Sequence, residues 1–330
     1  MSKSMTLFCP SLNSDRVLEF KSNIQDWLSA SSLQELTESF GSTAPLGSSL
    51  EELSRWYLDF SDCWDFRGHQ NQAFDQKVGE GARWLLNNDD LTEGQKELAL
   101  RAALDLGLMD NSVPAKPESD FIWVLGGAKL SCLLRTRLAA QTIQSSHKPP
   151  QAVVLLASSR PIGDAERDAT KTYSPTAETE YDLFISAAER ELHVGNNYHE
   201  DRYDDGINPN NSWIVRKYEM NEYDVFIIAA PSSEPDKRRA NSADTYEFFF
   251  ERFRAPEGSS ILLSTSQIYV PYQHSEAIRT IAFPHKIYLD TIGFPPEWGG
   301  DLQGMNEPTN YLQEIRSTIQ SINRFLALYV

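Results

Sequence analysis

The sequence predicts an α/β fold in which a doubly wound parallel sheet follows a helical N-terminal domain. After residue 120, short aliphatic runs recur of the kind that a parallel sheet buries on both faces, such as Ala152–Ala157 and Asp224–Ala230. Segments with apolar residues at three-to-four spacing separate these runs, as helices do between parallel strands. Before residue 115 the spacing is mostly helical.

The N-terminal helices are predicted from capping residues and apolar stripes. Ser14-Asp15 precedes one stripe, and Ser49 with Glu52 three residues later has the form of a capping box. Further helices are predicted over Gln70–Leu86 and Thr92–Leu106. The helix after Ser49 has an aromatic stripe, more typical of a core than of a ligand cage, at Trp56, Tyr57, Phe60 and Trp64.

The segment Asp110–Asp120 contains Pro114 and Pro117 and is predicted to be a turn-rich linker. We therefore expect two domains, a helical domain over residues 1–115 and a Rossmann-like domain over residues 120–330. The polar stretch Gly195–Asn211 is predicted to form no helix or strand and to act as a lid or an excursion of the chain.

Charge and composition limit the partners. The net charge of −17 argues against binding to a nucleic-acid backbone or an anionic membrane surface. No apolar run is long enough to span a membrane, and no leader is recognisable, so we expect a cytoplasmic protein. Cys9, Cys63 and Cys132 lack metal-type spacing, which favours buried, reduced thiols and no metal site.

A glycine pair ends the first predicted strand of the sheet. Gly126 and Gly127 follow the run Phe121–Leu125, and a helical pattern comes next. Glycines at this place allow a tight turn, and they also let a ligand approach the backbone amides. The full G-x-G-x-x-G fingerprint is absent, so both a ligand-binding turn and a plain tight loop remain open.

Small hydroxyl residues end the other predicted strands. Ser158 and Ser159 follow the second strand, and Thr265 and Ser266 follow a later one. Because the carboxyl ends of strands in an open α/β sheet meet at one edge, these residues predict a polar pocket for phosphate, carboxylate or ribose oxygens. The alternative is that each residue only caps a helix or shapes a loop.

Charged residues are expected around the same pocket. Arg160 and Arg238 would neutralise an anionic ligand. Glu180 and Asp244 lie near predicted helix starts, where a carboxylate either balances the helix dipole or serves as a base or ribose ligand. Tyr269 would donate a proton or a hydrogen bond. The sequence lacks the G-x-S-x-G nucleophile elbow, the Walker phosphate-binding loop, and the H-E-x-x-H and C-x-x-C motifs.

Residues from about 121 to 328 resemble the YdcF-like family, which includes the SanA and ElyC envelope proteins. The resemblance rests on the VLGGA stretch with Arg137, on Ser242–Phe248 with Thr245, on the STSQ stretch, and on Tyr311–Glu314. It implies a Rossmann-like fold with a polar pocket and S-adenosylmethionine as the cofactor. Ala243, Phe248, Tyr269 and Tyr272 depart from the family pattern.

Together these observations predict an enzyme that binds S-adenosylmethionine or another adenosine-type ligand and catalyses group transfer. The alternative is a binding or scaffold protein that retains the fold without the chemistry. A hydrolase ranks third, because no nucleophile or metal set supports it.

Overall fold

The computed structural model describes residues 16–45, 47–66, 90–110, 113–115, 118–253, 255–300 and 306–329. The predicted N-cap at Ser14-Asp15 and the predicted helix Gln70–Leu86 lie outside these ranges. Within them, the capping box of Ser49 and Glu52 is present: Ser49 Oγ accepts from Glu52 N at 3.2 Å.

The described residues include ten α-helices and seven strands, besides short 3₁₀ and π segments. The helices are α1 (Arg16–Leu28), α2 (Ser31–Ser39), α3 (Leu50–Phe60), α4 (Glu93–Asp105), α5 (Ser131–Ser145), α6 (Asp164–Thr170), α7 (Glu180–Ala187), α8 (Ser242–Phe253), α9 (Val270–Ala277) and α10 (Pro308–Leu328). The strands are β1 (Phe121–Leu125), β2 (Ala152–Ala157), β3 (His199–Tyr203), β4 (Trp213–Glu219), β5 (Asp224–Ala229), β6 (Ser260–Ser266) and β7 (Tyr288–Phe294).

All seven strands belong to one sheet, in the order β3-β4-β5-β2-β1-β6-β7. The five adjacent strands β5, β2, β1, β6 and β7 are parallel to one another. After β1 and β2 the chain forms the edge strand β3, comes back through β4 to β5 beside β2, and then crosses to β6 and β7 on the other side of β1. This is the winding of a Rossmann-like sheet, and it confirms the predicted fold class.

The outer strands β3 and β4 correct the prediction for Gly195–Asn211. That stretch contains β3, which pairs antiparallel with β4, and β4 pairs antiparallel with β5. The prediction was wrong because it required apolar residues. In β3 the polar side chains are instead held by ion pairs on both faces, Glu200 with Arg216 and Asp201 with Arg252.

The last strand also begins later than predicted. The apolar residues between Lys286 and Leu289 predict a strand over that range, whereas β7 covers Tyr288–Phe294. Lys286 has a φ of 52°, in the left-handed region, so the chain turns there before the strand begins.

Two apolar layers cover the sheet. On one face, α5 and α7 pack against Val124, Val153 and Ile227. On the other face, α8, α9 and α10 share a core with the N-terminal helices: Trp123 contacts Phe249 at 4.7 Å between ring centroids, and Phe20 contacts Phe325 at the same distance. Among the described helices, none has the length and hydropathy that crossing a membrane requires.

The final helix, α10, joins the N-terminal helices to the sheet domain. It contacts α3 and α4 as well as α9, and its apolar residues recur at helical spacing. Because neighbours surround it, residues on every side of α10 are buried. The aromatic stripe predicted on α3 belongs to this core, with Tyr57 and Trp64 fully buried.

Candidate functional site

The carboxyl ends of the five parallel strands form one edge of the sheet, which we call the rim. It consists of the loops that follow Leu125, Ala157, Ala229, Ser266 and Phe294. In sheets of this winding, ligands bind outside the carboxyl ends of the strands, at the place where the winding reverses. Here the reversal lies between β1 and β6.

An arginine held between two glutamates lies at the end of β2, and we call this group the Arg160 cluster (Arg160, Glu166, Glu180). Arg160 donates to Glu166 through both terminal nitrogens, at 2.5 Å and 2.8 Å, and to Glu180 Oε2 at 3.2 Å. Glu166 lies in the first turn of α6 and Glu180 in the first turn of α7. Both glutamates are buried. A single guanidinium therefore orients two carboxylates from different helices.

The pKa values of these two carboxyls shift in opposite directions. Burial raises the pKa of Glu180 above its ordinary value, and the opposing effects of Arg160 and of a bond with Ser158 do not cancel the rise. Burial also acts on Glu166, but two bonds from Arg160 and backbone N–H groups of Gly163 and Lys129 bring its pKa below the ordinary value. Neighbouring carboxyls with separated pKa values are typical of acid–base sites.

Protein atoms occupy the space beside the glycine pair that follows β1. A Cβ on Gly126 would lie 2.9 Å from both Glu180 Cδ and the carbonyl oxygen of Leu156. A Cβ on Gly127 would lie 2.8 Å from Ser131 Cβ. In the structure, therefore, the absence of side chains at these glycines makes room for Glu180 and for α5.

Two residues that sequence analysis did not select lie near Glu180. The hydroxyl of Tyr173 is buried and has no hydrogen-bond partner among the described residues. Burial raises the pKa of Tyr173, and the charges of Glu166 and Glu180 raise it further. Burial likewise raises the pKa of the Cys132 thiol. No sequence motif marks Tyr173, because the polar segment before it gives no helix or strand pattern.

The place of winding reversal is occupied by a second arginine, Arg135 of α5. Its guanidinium donates to the carbonyl oxygens of Leu125, at 3.0 Å, and of Gly126, and to Ser266 Oγ at 2.9 Å. It also lies over the Tyr269 ring, 5.7 Å from the centroid. Sequence analysis missed Arg135, although its spacing of four from Ser131 and from the buried Ala139 places it on the inward face of the helix.

A third group lies at the end of β5, and we call it the Asp244 cluster (Asp244, Arg238, Ser233, Asn241). Asp244, in the first turn of α8, accepts bonds from Arg238, from Ser233 N at 3.1 Å and from Asn241 N at 2.8 Å. Burial alone would raise the pKa of Asp244, but these donors lower it to about 2. The cluster ties the preceding loop to the helix.

The remaining predicted site residues are dispersed. Thr245 donates to Asn241 O at 3.1 Å within α8, and Ser159 is exposed. Thr265 is fully buried, and its hydroxyl has no partner in the part of the chain that the structure describes. The predicted residues that the fold brings together are Gly126, Ser158, Arg160 and Glu180 in one place, Ser266 and Tyr269 around Arg135 in a second, and Arg238 with Asp244 in a third.

Comparison with known proteins places the chain among mycobacterial relatives. Residues 12–107 match the family model described as the Rv3785 N-terminal domain. The chain is 32% identical over 321 residues to uncharacterized protein Rv3785 of Mycobacterium tuberculosis, covering 92% of this chain and 88% of that protein. The same values hold for uncharacterized protein Mb3814 of Mycobacterium bovis. No solved structure matches the chain.

These relatives overturn the predicted resemblance to the YdcF-like family, which is wrong. The residues that suggested the resemblance have local structural roles instead. Ser242–Phe248 begins α8, where a capping carboxylate and small polar residues are favoured. Ser266 is bonded to Arg135, and Gly126 makes room for Glu180. The match over nearly the whole length of both proteins carries the assignment, and the chain belongs to the Rv3785 family.

Proposed function

We propose that the chain is a small-molecule enzyme that binds a nucleotide-like ligand at the rim and transfers a group from or to it, with Glu180 as the proton donor or acceptor. The observation that carries the proposal is the Arg160 cluster. A buried carboxyl whose pKa is raised holds its proton to higher pH than an ordinary glutamate does and is therefore suited to donate it. Its neighbour Glu166, with a lowered pKa, remains ionised.

The arrangement supports a division of roles between the two glutamates. Glu166 takes two bonds from Arg160, so its negative charge balances the guanidinium in every protonation state of Glu180. Glu180 takes one longer bond, at 3.2 Å. It can therefore gain or lose a proton while Arg160 stays paired and in position.

Support for the ligand class comes from the winding of the sheet. Sheets wound in this order bind nucleotides and dinucleotides where the winding reverses. Gly126 lies at that place and contacts Glu180, so a ligand between β1 and β6 would lie next to the acid–base group. We therefore expect an adenosine-type ligand such as S-adenosylmethionine.

The cytoplasm remains the expected compartment, because the two cysteines in the described residues are free thiols. Cys132 is buried, as predicted, whereas Cys63 is exposed.

One observation favours the second candidate, a binding protein without catalysis. Arg135 and Ser266 bond to each other, and the space beside Gly126 is filled by Glu180. These are positions that a nucleotide-binding sheet would leave for the ligand. A protein that binds its ligand elsewhere on the rim, or binds a protein instead, would show the same contacts.

A thermal-shift screen with adenosine, adenosine triphosphate, a nicotinamide dinucleotide and S-adenosylmethionine tests the ligand class. A compound present at 100 times its dissociation constant should stabilise the protein by about 2.7 kcal/mol, which is a shift of a few degrees. Failure of all four compounds to shift the melting temperature would remove the proposal.

A bound compound is then incubated with the protein and the small-molecule fraction of a cell extract, which supplies the second substrate of the transfer, and its conversion is followed by mass spectrometry. Glu180→Gln should retain the thermal shift and lose the conversion. The matched control is Glu178→Gln, two residues earlier, where the side chain is 77% exposed and pairs only loosely with Arg167. Binding without conversion by the wild-type protein would favour the second candidate.

A further inference from the structure

Strand β3 leaves one edge of the sheet open. In the described part of the chain it pairs only with β4, and four of its five residues are exposed. Its outer backbone N–H and C=O groups therefore face solvent. Such a row of groups is able to pair with a strand of another chain.

The open edge is held in a fixed shape. Arg216 Nε donates to Glu200 Oε2 at 2.8 Å on one face of the strand, and Arg252 pairs with Asp201 on the other. In the loop after β3, Asp205 Oδ1 accepts bonds from the backbone N–H groups of Ile207 and Asn208, at 2.9 Å and 3.1 Å. A partner strand would therefore meet an edge that is already ordered, which lowers the entropic cost of pairing.

Exposed apolar side chains are concentrated beside this edge. The described residues include seven large hydrophobic side chains that are exposed, and three of them lie within Tyr198–Ile207. Tyr198 and Tyr203 flank the strand at its two ends, and Ile207 is 96% exposed at the loop. Clusters of exposed apolar side chains mark interaction surfaces more often than isolated ones do.

The charges of β3 are complementary to those of a second β3. When two copies pair antiparallel about a two-fold axis perpendicular to the sheet, the axis passes through one residue, and residues of the same face oppose each other. An axis through Asp201 places Glu200 opposite Arg202 of the second copy, twice. An axis through Glu200 opposes two glutamates, and one through Arg202 opposes two arginines.

We propose that β3 is a self-association edge, through which two copies of this chain join their sheets about an axis at Asp201. The like charges of the two Asp201 residues are each balanced by Arg252 of the same copy. The inference is independent of the proposed ligand and reaction. A strand of five residues gives a small interface, so the dimer should dissociate on dilution.

Sedimentation velocity over a dilution series tests this, with Arg202→Glu as the variant. Arg202 is 69% exposed, and its ion pair with Glu200 is long, at 3.9 Å, so the change should leave the fold intact. In the dimer, the substitution would place a glutamate opposite Glu200 of the other copy, at two symmetry-related positions. We expect the wild type to dimerise reversibly and the variant to dimerise at least about tenfold more weakly.

Lys171→Glu is the matched control. Lys171 directly follows α6 and is 67% exposed, its ion pair with Asp168 is at 3.7 Å, and the substitution changes the net charge by the same amount. It should dimerise as the wild type does, and both variants should keep the wild-type melting temperature as monomers. A wild type that is monomeric at every concentration overturns the proposal. So does a dimer that Arg202→Glu weakens no more than the control.

Discussion

The Arg160 cluster and the Asp244 cluster are built from the same parts and differ in what their carboxylates are able to do. In each, a rim arginine bonds a carboxylate in the first turn of a helix. The pKa of Glu180 is raised, whereas that of Asp244 is lowered to about 2. Residue type and position in the fold therefore do not decide which carboxylate is able to carry a proton.

The number of hydrogen-bond donors to each carboxylate decides the direction in which its pKa shifts. Asp244 accepts bonds from Arg238 and from two backbone N–H groups, and these stabilise its ionised form more than burial destabilises it. Glu180 shares its arginine with Glu166 and is deeply buried, so burial has the larger effect. We infer that Asp244 is a structural clamp and that Glu180 is the candidate acid–base group. The predictions below test this difference.

Removal of the clamp should have the largest effect. Asp244→Ala leaves two backbone N–H groups without their acceptor and removes one of the two carboxylates that Arg238 bonds, so it should lower the free energy of unfolding by about 3 kcal/mol. Urea unfolding followed by circular dichroism measures the loss. Asp168→Ala, at a side chain that is 81% exposed, is the control and should change stability by less than about 0.5 kcal/mol. Equal effects of the two substitutions would show that the Asp244 bonds are weak.

Crowding of the Arg160 cluster should come next in size. A Cβ at Gly126 would meet Glu180 and the carbonyl oxygen of Leu156, so Gly126→Ala should cost about 1–3 kcal/mol. Gly195→Ala is the matched control, because nothing lies within 4 Å of its added Cβ. It should be neutral, or stabilising by up to about 1 kcal/mol. A neutral Gly126→Ala would mean that Glu180 moves away easily and is not held in place.

The fold was largely predictable, because buried parallel strands have an unmistakable pattern. Ala152–Ala157 was predicted to the residue, since an all-aliphatic run between turns has few other uses. Strand β3 was missed because its stability comes from ion pairs with Arg216 and Arg252, which are distant in sequence. The periodicity of apolar residues indicates which side chains are buried, and an exposed edge strand has few buried side chains.

The site was predicted only in part. Arg160 and Glu180 were selected because both lie at the ends of elements, and the fold does bring them together. Glu166 and Tyr173 lie near Arg160 and Glu180 because of where the fold places α6 relative to the rim. The local sequence does not indicate that placement. Arg135 was overlooked because an arginine among apolar residues of a helix is ordinarily a surface residue.

The stability contributions of the two carboxylates should depend on pH with opposite signs. The pKa of Asp244 is lowered in the folded protein to about 2, from an unfolded value of about 3.9. Its contribution to stability is therefore complete above the unfolded value and is lost as the pH falls toward about 2. The stability difference between the wild type and Asp244→Asn should shrink over that range, as measured by urea unfolding at each pH. A constant difference would contradict the lowered pKa.

Glu180→Gln should show the opposite sign and the smallest effect. Because the folded-state pKa of Glu180 is raised, the folded protein holds this proton more tightly than the unfolded chain does. Stability is therefore lost as the pH rises from the unfolded value, about 4.3, toward the raised folded value. Glutamine is neutral at every pH, and Glu166 continues to bond Arg160 in the variant.

At neutral pH we expect Glu180→Gln to be as stable as the wild type or slightly more stable, within about 1 kcal/mol, and its relative stability should rise with pH. Glu178→Gln, at an exposed side chain, should follow the wild type throughout. The decisive result is the direction of the difference. A variant that is destabilised at neutral pH, and increasingly so as the pH rises, would mean that Glu180 is ionised and clamps Arg160 as Asp244 clamps Arg238. In that case the two clusters would have the same role, and Glu180 would no longer be a candidate for proton transfer.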